Sequence, residues 1–338
     1  MMPDDQNLDY KPLNAVKELA FRHFAGEQDY QCMLDLWDKS RNFSCSEWSP
    51  TLQDVKQDEH RRQNYEVNQH LFFVELNHKP VGYFHYNWQI EDSPKTYVME
   101  IGIVLIKDCW GGNIPQLMLD YVEEKLIKVS AAFPEDYPRF YHVWNIQKAV
   151  EHRLFFEKNG YQPDRYFFMM ARPIEKSLDH HPLPEGIEIR PAKPEHYRKI
   201  FDAANEAFRD HWGFQEPTEE QFQSWPKGRL FQPHLWKVAW DGDEVAGQAG
   251  NYVDHEENQK FNRTRAATEN ISVRRPWRNH GLAKALIAES IRMFKDMGYK
   301  ETVLGVDSTN PSGALKLYTD MGYVEEKDKT CIVLRKKL

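Results

Sequence analysis

The chain has 338 residues, too many for one typical hydrophobic core and suited to two of ordinary size. Hydrophobic residues at 41% and charged residues at 28% exclude a disordered or fibrous protein, and a net charge of -8 argues against non-specific binding to nucleic acid or acidic membranes. No run approaches membrane-spanning length, and the acidic start "MMPDDQNLDYKP" has no apolar leader core, so a cytoplasmic protein is expected.

In chain order, "ELAFRHFAGEQDYQCMLDLW" predicts a strand and then a helix beginning close to Glu27. A polar and aromatic stretch follows, then two hairpin strands in "FFVELNHKPVGYFHY" that turn at "NHKP". A third strand, a loop around Trp110, a long helix, a strand, a helix reaching "FFEKNGY" and a last strand complete the first half. The proline-rich segment from Arg172 to His196 has no helical period and reads as a linker, with a boundary near Pro182. The same order of elements then restarts. "GIEIRPA" predicts a strand, and "PEHYRKIFDAANEAF" predicts a helix with Ile200, Phe201, Ala204 and Phe208 on one face.

The halves align as an internal repeat. Tyr30 and Tyr197 lie 167 residues apart, as do Trp110 and Trp277, while Gly82 and Gly247 are offset by 165 and Gly160 and Gly322 by 162. Antiparallel strands followed by alternating strand and helix imply an α+β fold, with a mixed sheet in each unit that can splay where its direction changes. Two units are expected, residues 10–175 and 183–338.

One stretch of the second unit has chemical character. In "VRRPWRNHGLAKALI", Arg278, Asn279 and His280 precede Gly281 and Ala283, at the start of a helix marked by Leu282, Leu286, Ile287, Ile291 and Phe294. A helix start offers unpaired N–H groups and partial positive charge to phosphate oxygens, and glycine keeps no side chain in their way. Taken alone, the pattern fits a phosphate cradle or an ordinary basic turn. Its position after the β-rich "RAATENISV" and before a long helix favours the cradle.

The strand, loop and helix "ENISVRRPWRNHGLAKALI", with "VDSTNPSGALKLYTDMGYV" downstream, resemble the GCN5-related N-acetyltransferase (GNAT) superfamily. The duplication resembles its tandem two-domain members, similar in architecture to mycothiol synthase. The motifs cover 187–338 well, whereas the first half matches only in outline. The resemblance implies two tandem GNAT-like domains, each a mostly antiparallel twisted sheet flanked by helices, and acetyl-CoA as cofactor. Ile271, Ser272, Val273, Arg278, Asn279, His280, Gly281, Leu282, Ala283, Lys284 and Asn310 would bind that cofactor.

Direct acetyl transfer to a small-molecule primary amine in a ternary complex needs a route for the amine proton and a proton for the leaving thiolate. Glu269, on the strand beside the thioester, is the candidate base, directly or through water, and Tyr318 the candidate proton donor. Asp210, Trp212 and Trp225 are candidate acceptor contacts, for charge and ring stacking, against helix capping and core packing as their alternative roles. The first half lacks this chemistry: Ile114 and Pro115 stand where Gly281 and Leu282 do, Phe156 replaces Tyr318, and Met99 or Gly102 matches Glu269.

The 14 histidines form no HExxH and the four cysteines no CxxC, so free thiols and no metal are expected. Nucleic acid and membrane are not expected partners, and the chain is expected as a monomer or homodimer. A coenzyme A-binding sensor without turnover is the alternative to an enzyme.

Overall fold

The computed structural model describes residues 19–92 and 94–338. Residues 10–18 of the expected first unit therefore lie outside the described residues. The first half runs β1 (Leu19–His23), α1 (Glu27–Ser44), α2 (Leu52–Arg61), α3 (Val67–His70), β2 (Leu71–Leu76), β3 (Lys79–Asp92), β4 (Lys95–Leu105), α4 (Ile114–Ser130), β5 (Arg139–Ile146), α5 (Val150–Lys158) and β6 (Gln162–Pro173). The second repeats that order as β7 (Ile187–Arg190), α6 (Tyr197–Phe208), α7 (Glu219–Ser224), β8 (Lys237–Asp241), β9 (Glu244–Tyr252), α8 (His255–Lys260), β10 (Arg265–Val273), α9 (Leu282–Asp296), β11 (Glu301–Asp307), α10 (Ala314–Asp320), β12 (Val324–Glu325) and β13 (Cys331–Lys337). The polar and aromatic stretches thus hold short helices that hydrophobic period does not reveal.

Local chemistry explains the turns. Asn77 and His78 both adopt positive φ, 51° and 58°, the two-residue geometry that matches the twist of a hairpin. Thr51 and Thr218 cap α2 and α7 through reciprocal bonds with Asp54 and Gln221. The α9 residues Leu282, Leu286, Ile287, Ile291 and Phe294 are all buried, so this helix is fixed by packing of one face.

Among the described residues, all thirteen strands join one sheet, in the order β1-β2-β3-β4-β5-β13-β6-β11-β10-β9-β8-β7, with β12 pairing β6. Each half was expected to close with its own last strand, but the two exchange them. The C-terminal β13 pairs antiparallel with β5, and β6 pairs antiparallel with β11. The exchanged strands pair with each other at the centre.

The sheet is mixed and mostly antiparallel, with two parallel contacts, β4 with β5 and β10 with β11. The second contact covers only Arg265–Ala267 against Glu301–Val303, after which the strands part. Among the described residues, no helix is long and apolar enough to cross a membrane.

Candidate active site

The parting of β10 from β11 builds the site. Opposite β9, the β10 register slips by one residue between Glu269 and Ser272, and Asn270 takes a positive φ of 49° at the slip. This bulge turns β10 away from β11. The Gly305 N–H on β11 is met not by a strand but by the Glu269 carboxylate, at 3.0 Å. Burial among protein atoms raises the Glu269 pKa to about 7, against the pull of that N–H.

On the other side of the gap lies a cavity of about 410 Å³, walled by Ile271, Ser272 and Val273, the loop and first turn of α9, the end of α6, and Tyr318 on α10. Gly281 caps α9 at φ 82°, and Asn279 before it stands at 66°. An added Cβ at Gly281 would meet nothing within 4 Å, so glycine serves the left-handed turn and leaves the space before the helix open. The first N–H groups of α9 lack intrahelical partners by construction and carry partial positive charge. An open, donor-rich helix start beside a long apolar slot fits the pyrophosphate and pantetheine of an acyl-CoA.

Nearly all the residues expected to hold that cofactor meet here: Ile271, Ser272, Val273, Arg278, Asn279, Gly281, Leu282, Ala283 and Lys284 line the cavity. His280 is in the same turn but does not line it, and neither does Asn310. Asn310 Oδ1 accepts from Ser312 N at 2.8 Å and Ser312 Oγ at 2.6 Å, shaping the turn into α10 and placing Ser312 at the wall.

Arg278 acts as a tie: Nε donates to Val273 O at 2.9 Å, Nη2 to Ala207 O at 2.9 Å, and Nη1 reaches Asp210 at 3.1 Å. It pins the end of β10 to the end of α6. Asp210 is bound by Arg275 and Arg278, which hold its carboxyl below the usual range, so its charge is already paired. Trp212 stands at the junction of the halves, with the Arg335 and Arg165 guanidiniums 4.5 Å and 4.8 Å from its ring. Trp225 stacks on Trp236 at 5.0 Å within an aromatic cluster and also lines a second cavity, of about 380 Å³.

That second cavity lies under the same bulge, between the halves. Gln248, Gly250, Tyr252 and Asn270 meet Trp48, Asp54 and Asp58 of the first half there. Gly250 is the register partner of Glu269, which ties this cavity to the carboxylate. Arg229 spans it, 2.9 Å from Asp54 and 2.8 Å from Asp254.

Tyr318 is 7% exposed, and burial, with the nearby Glu269 and Tyr323, raises its pKa so that the phenol keeps its proton. Sequence reasoning missed Phe208, His211 and Leu317, which also line the first cavity. Their apolar and aromatic character carries no motif, and only the closure of α6 and α10 over the gap brings them there.

The first half shows what the bulge contributes. Pairing of Gly82 with Leu105 and of Gly247 with Val273 sets the correspondence, and β4 then runs in unbroken register to His85 opposite Gly102. Gly102, rather than Met99, takes the place of Glu269. A Cβ there would come within 2.3 Å of the His85 ring, so no longer side chain fits without displacing it. Trp110 donates its indole N–H to Leu105 O at 3.0 Å, copying the Arg278 tie, but α4 opens with buried Ile114 and Pro115.

A model of the acetyltransferase (GNAT) family matches residues 197–323. Among curated proteins, a mycothiol acetyltransferase of Catenulispora acidiphila is 25% identical over 167 residues, 49% of this chain and 52% of that protein, so the match spans about half of the relative's length. Among solved structures, a GCN5-related N-acetyltransferase from Sphaerobacter thermophilus aligns over 94% of this chain and 95% of its own, at TM-score 0.69 and 20% identity. A tandem GNAT protein from the clavulanic acid biosynthesis pathway aligns over 95% and 98%, at TM-score 0.64 and 10% identity. Structural likeness at such identities speaks to fold, and the matched segment coincides with the half that has the bulge and the open helix start. Residues 197–323 thus resemble the acetyltransferase (GNAT) family, and the chain as a whole shares the fold of a tandem GNAT protein.

Proposed function

We propose that this protein moves an acetyl group from acetyl-CoA to the primary amine of a small molecule, in a ternary complex, using the second half. The observation that carries this reading is the cavity at the parting of β10 and β11, which joins an open helix start to a protonated Tyr318, while the half-buried Glu269 does not line it but lies close enough to Tyr318 to raise its pKa. Acetyl-CoA supplies the acyl group as a thioester. The α9 turn and the backbone of Ile271–Val273 hold and orient it.

The acceptor enters from the cavity between the halves. With Glu257 paired to Arg263, Asp54, Asp58 and Asp254 still outnumber Arg229 there, which favours a protonated amine, and Trp225 offers a ring face to it. Glu269, with its pKa near neutrality, takes the ammonium proton directly or through water. The Tyr318 hydroxyl gives its proton to the departing sulfur and recovers one from solvent.

Calorimetric titration with acetyl-CoA, wild type against Gly281→Glu, tests the cradle. One site per chain, lost in the variant, is expected, followed by amine-dependent release of free thiol. Binding indifferent to Gly281 would overturn the reading.

A further inference from the structure

The first half lacks the acyl-CoA cradle but encloses a cavity of about 250 Å³ between β4, β5 and helices α1 and α2. Its lining joins Trp37 and Trp48 with Glu59, Arg62, His85 and Glu100. His85, 8% exposed, has no hydrogen-bond partner at Nδ1, and the Nδ1 of His152 in the same wall, also 8% exposed, has none either. Buried polar atoms are rarely left without partners unless something else meets them.

Charge in this cavity is unbalanced. Arg62 stands 3.5 Å from Glu59 and 3.8 Å from Glu100, ion pairs without hydrogen-bond contact, and its Nε has no hydrogen-bond partner. The carboxylates of Asp58, Glu59 and Glu100 therefore line the cavity with one guanidinium. The imidazoles do not compensate, because burial and the nearby Arg62 hold His85 well below its usual pKa, and burial lowers His152 to about 4. Burial also raises the Glu100 pKa, a cost that a second cation would relieve. Tyr65 donates its hydroxyl to Glu59, while Glu100 accepts a side-chain hydrogen bond from Asn87.

We propose that this cavity is a second binding site, for a small organic ammonium ion, held by Glu100 and Glu59, with its carbon body against Trp37 and Trp48 and its polar atoms satisfying His85 and His152. The imidazoles, uncharged, each offer one donor and one acceptor, so a hydroxyl or carbonyl on the ligand also finds a partner. The site shares Trp48 and Asp58 with the cavity under the β10 bulge, so an occupant is positioned to report to the active site through that wall. It does not depend on the acetyl-transfer reading.

The test is calorimetry and tryptophan fluorescence of the full chain with phenethylammonium, and with 3-phenylpropionate as an anion of similar shape. Saturable binding of the cation and none of the anion is expected. With Trp225→Ala in the background, to remove the cavity under the bulge as a competing site, Glu100→Gln should weaken it about tenfold or more and Val104→Phe, which fills the cavity, should abolish it. Equal binding of the anion, or binding that survives both Glu100→Gln and Val104→Phe, overturns the proposal. Loss in Trp225→Ala alone would overturn it while assigning the amine to the cavity under the bulge.

Discussion

Tyr318 and Glu269 differ in protonation at neutral pH for reasons that lie in their surroundings. Burial of Tyr318 near Glu269 holds the phenol protonated, whereas Glu269, with one N–H to accept and a pKa near 7, is divided between its two forms. Tyr318→Phe keeps the ring and removes only the proton, so kcat is expected to fall about a hundredfold or more while acetyl-CoA affinity holds, measured by thiol release and calorimetry. The pH dependence has a definite sign. A base with a raised pKa works only when deprotonated, so the wild-type rate should climb through pH about 7 and level off above it. Glu269→Gln should lower the rate about a hundredfold or more and remove that limb, and a profile that keeps the limb would exclude Glu269 as the base.

At the scale of elements, the β10 bulge distinguishes the half with the proposed site from the other. The turn of β10 between Glu269 and Ser272 arises because Asn270 absorbs an extra residue at φ 49°. A β-branched residue is strained in that conformation and glycine is not. Asn270→Val is therefore expected to cost about 1–3 kcal/mol in urea unfolding and to weaken acetyl-CoA binding about tenfold, while Asn270→Gly retains both. The same comparison explains the first half, where β4 keeps unbroken register from Gly82 to Asp92 and Gly102 packs on His85. Without a bulge, no side chain is turned across the gap.

At the scale of the molecule, the halves cannot be parted at the linker without breaking the sheet. Removing residues 1–182 would take β6 from β11 and leave β13 without either neighbour. Arg172, fully buried on β6, donates to the carbonyls of Met321, Lys176 and Ser177 at 2.8–2.9 Å, and so secures the linker to the end of α10. A fragment of residues 183–338 is expected to aggregate or unfold, since an exposed β11 edge and an unpaired β13 invite association. A fragment beginning at residue 160, which restores β6, should be more soluble and show sharper thermal unfolding by circular dichroism. Equal behaviour of the two would mean that the exchange contributes little to stability.

The sequence by itself determined the repeat, the order of the main elements and the α9 cradle, because these rest on local signals: hydrophobic period, turn residues, and a glycine before a helix. Gly281 and Ala283 were legible for that reason and Tyr318 through the resemblance, and all three line one cavity. Only the tertiary structure decided that the last strands are exchanged, because β6 and β13 carry the same pattern whichever β-edge they meet. It also decided that Asp210 is neutralised by Arg275 and Arg278, and that Trp212 stands between two guanidiniums from the exchanged strands. A side chain's partners come from distant parts of the chain, and spacing along the sequence holds no record of which distant parts will meet.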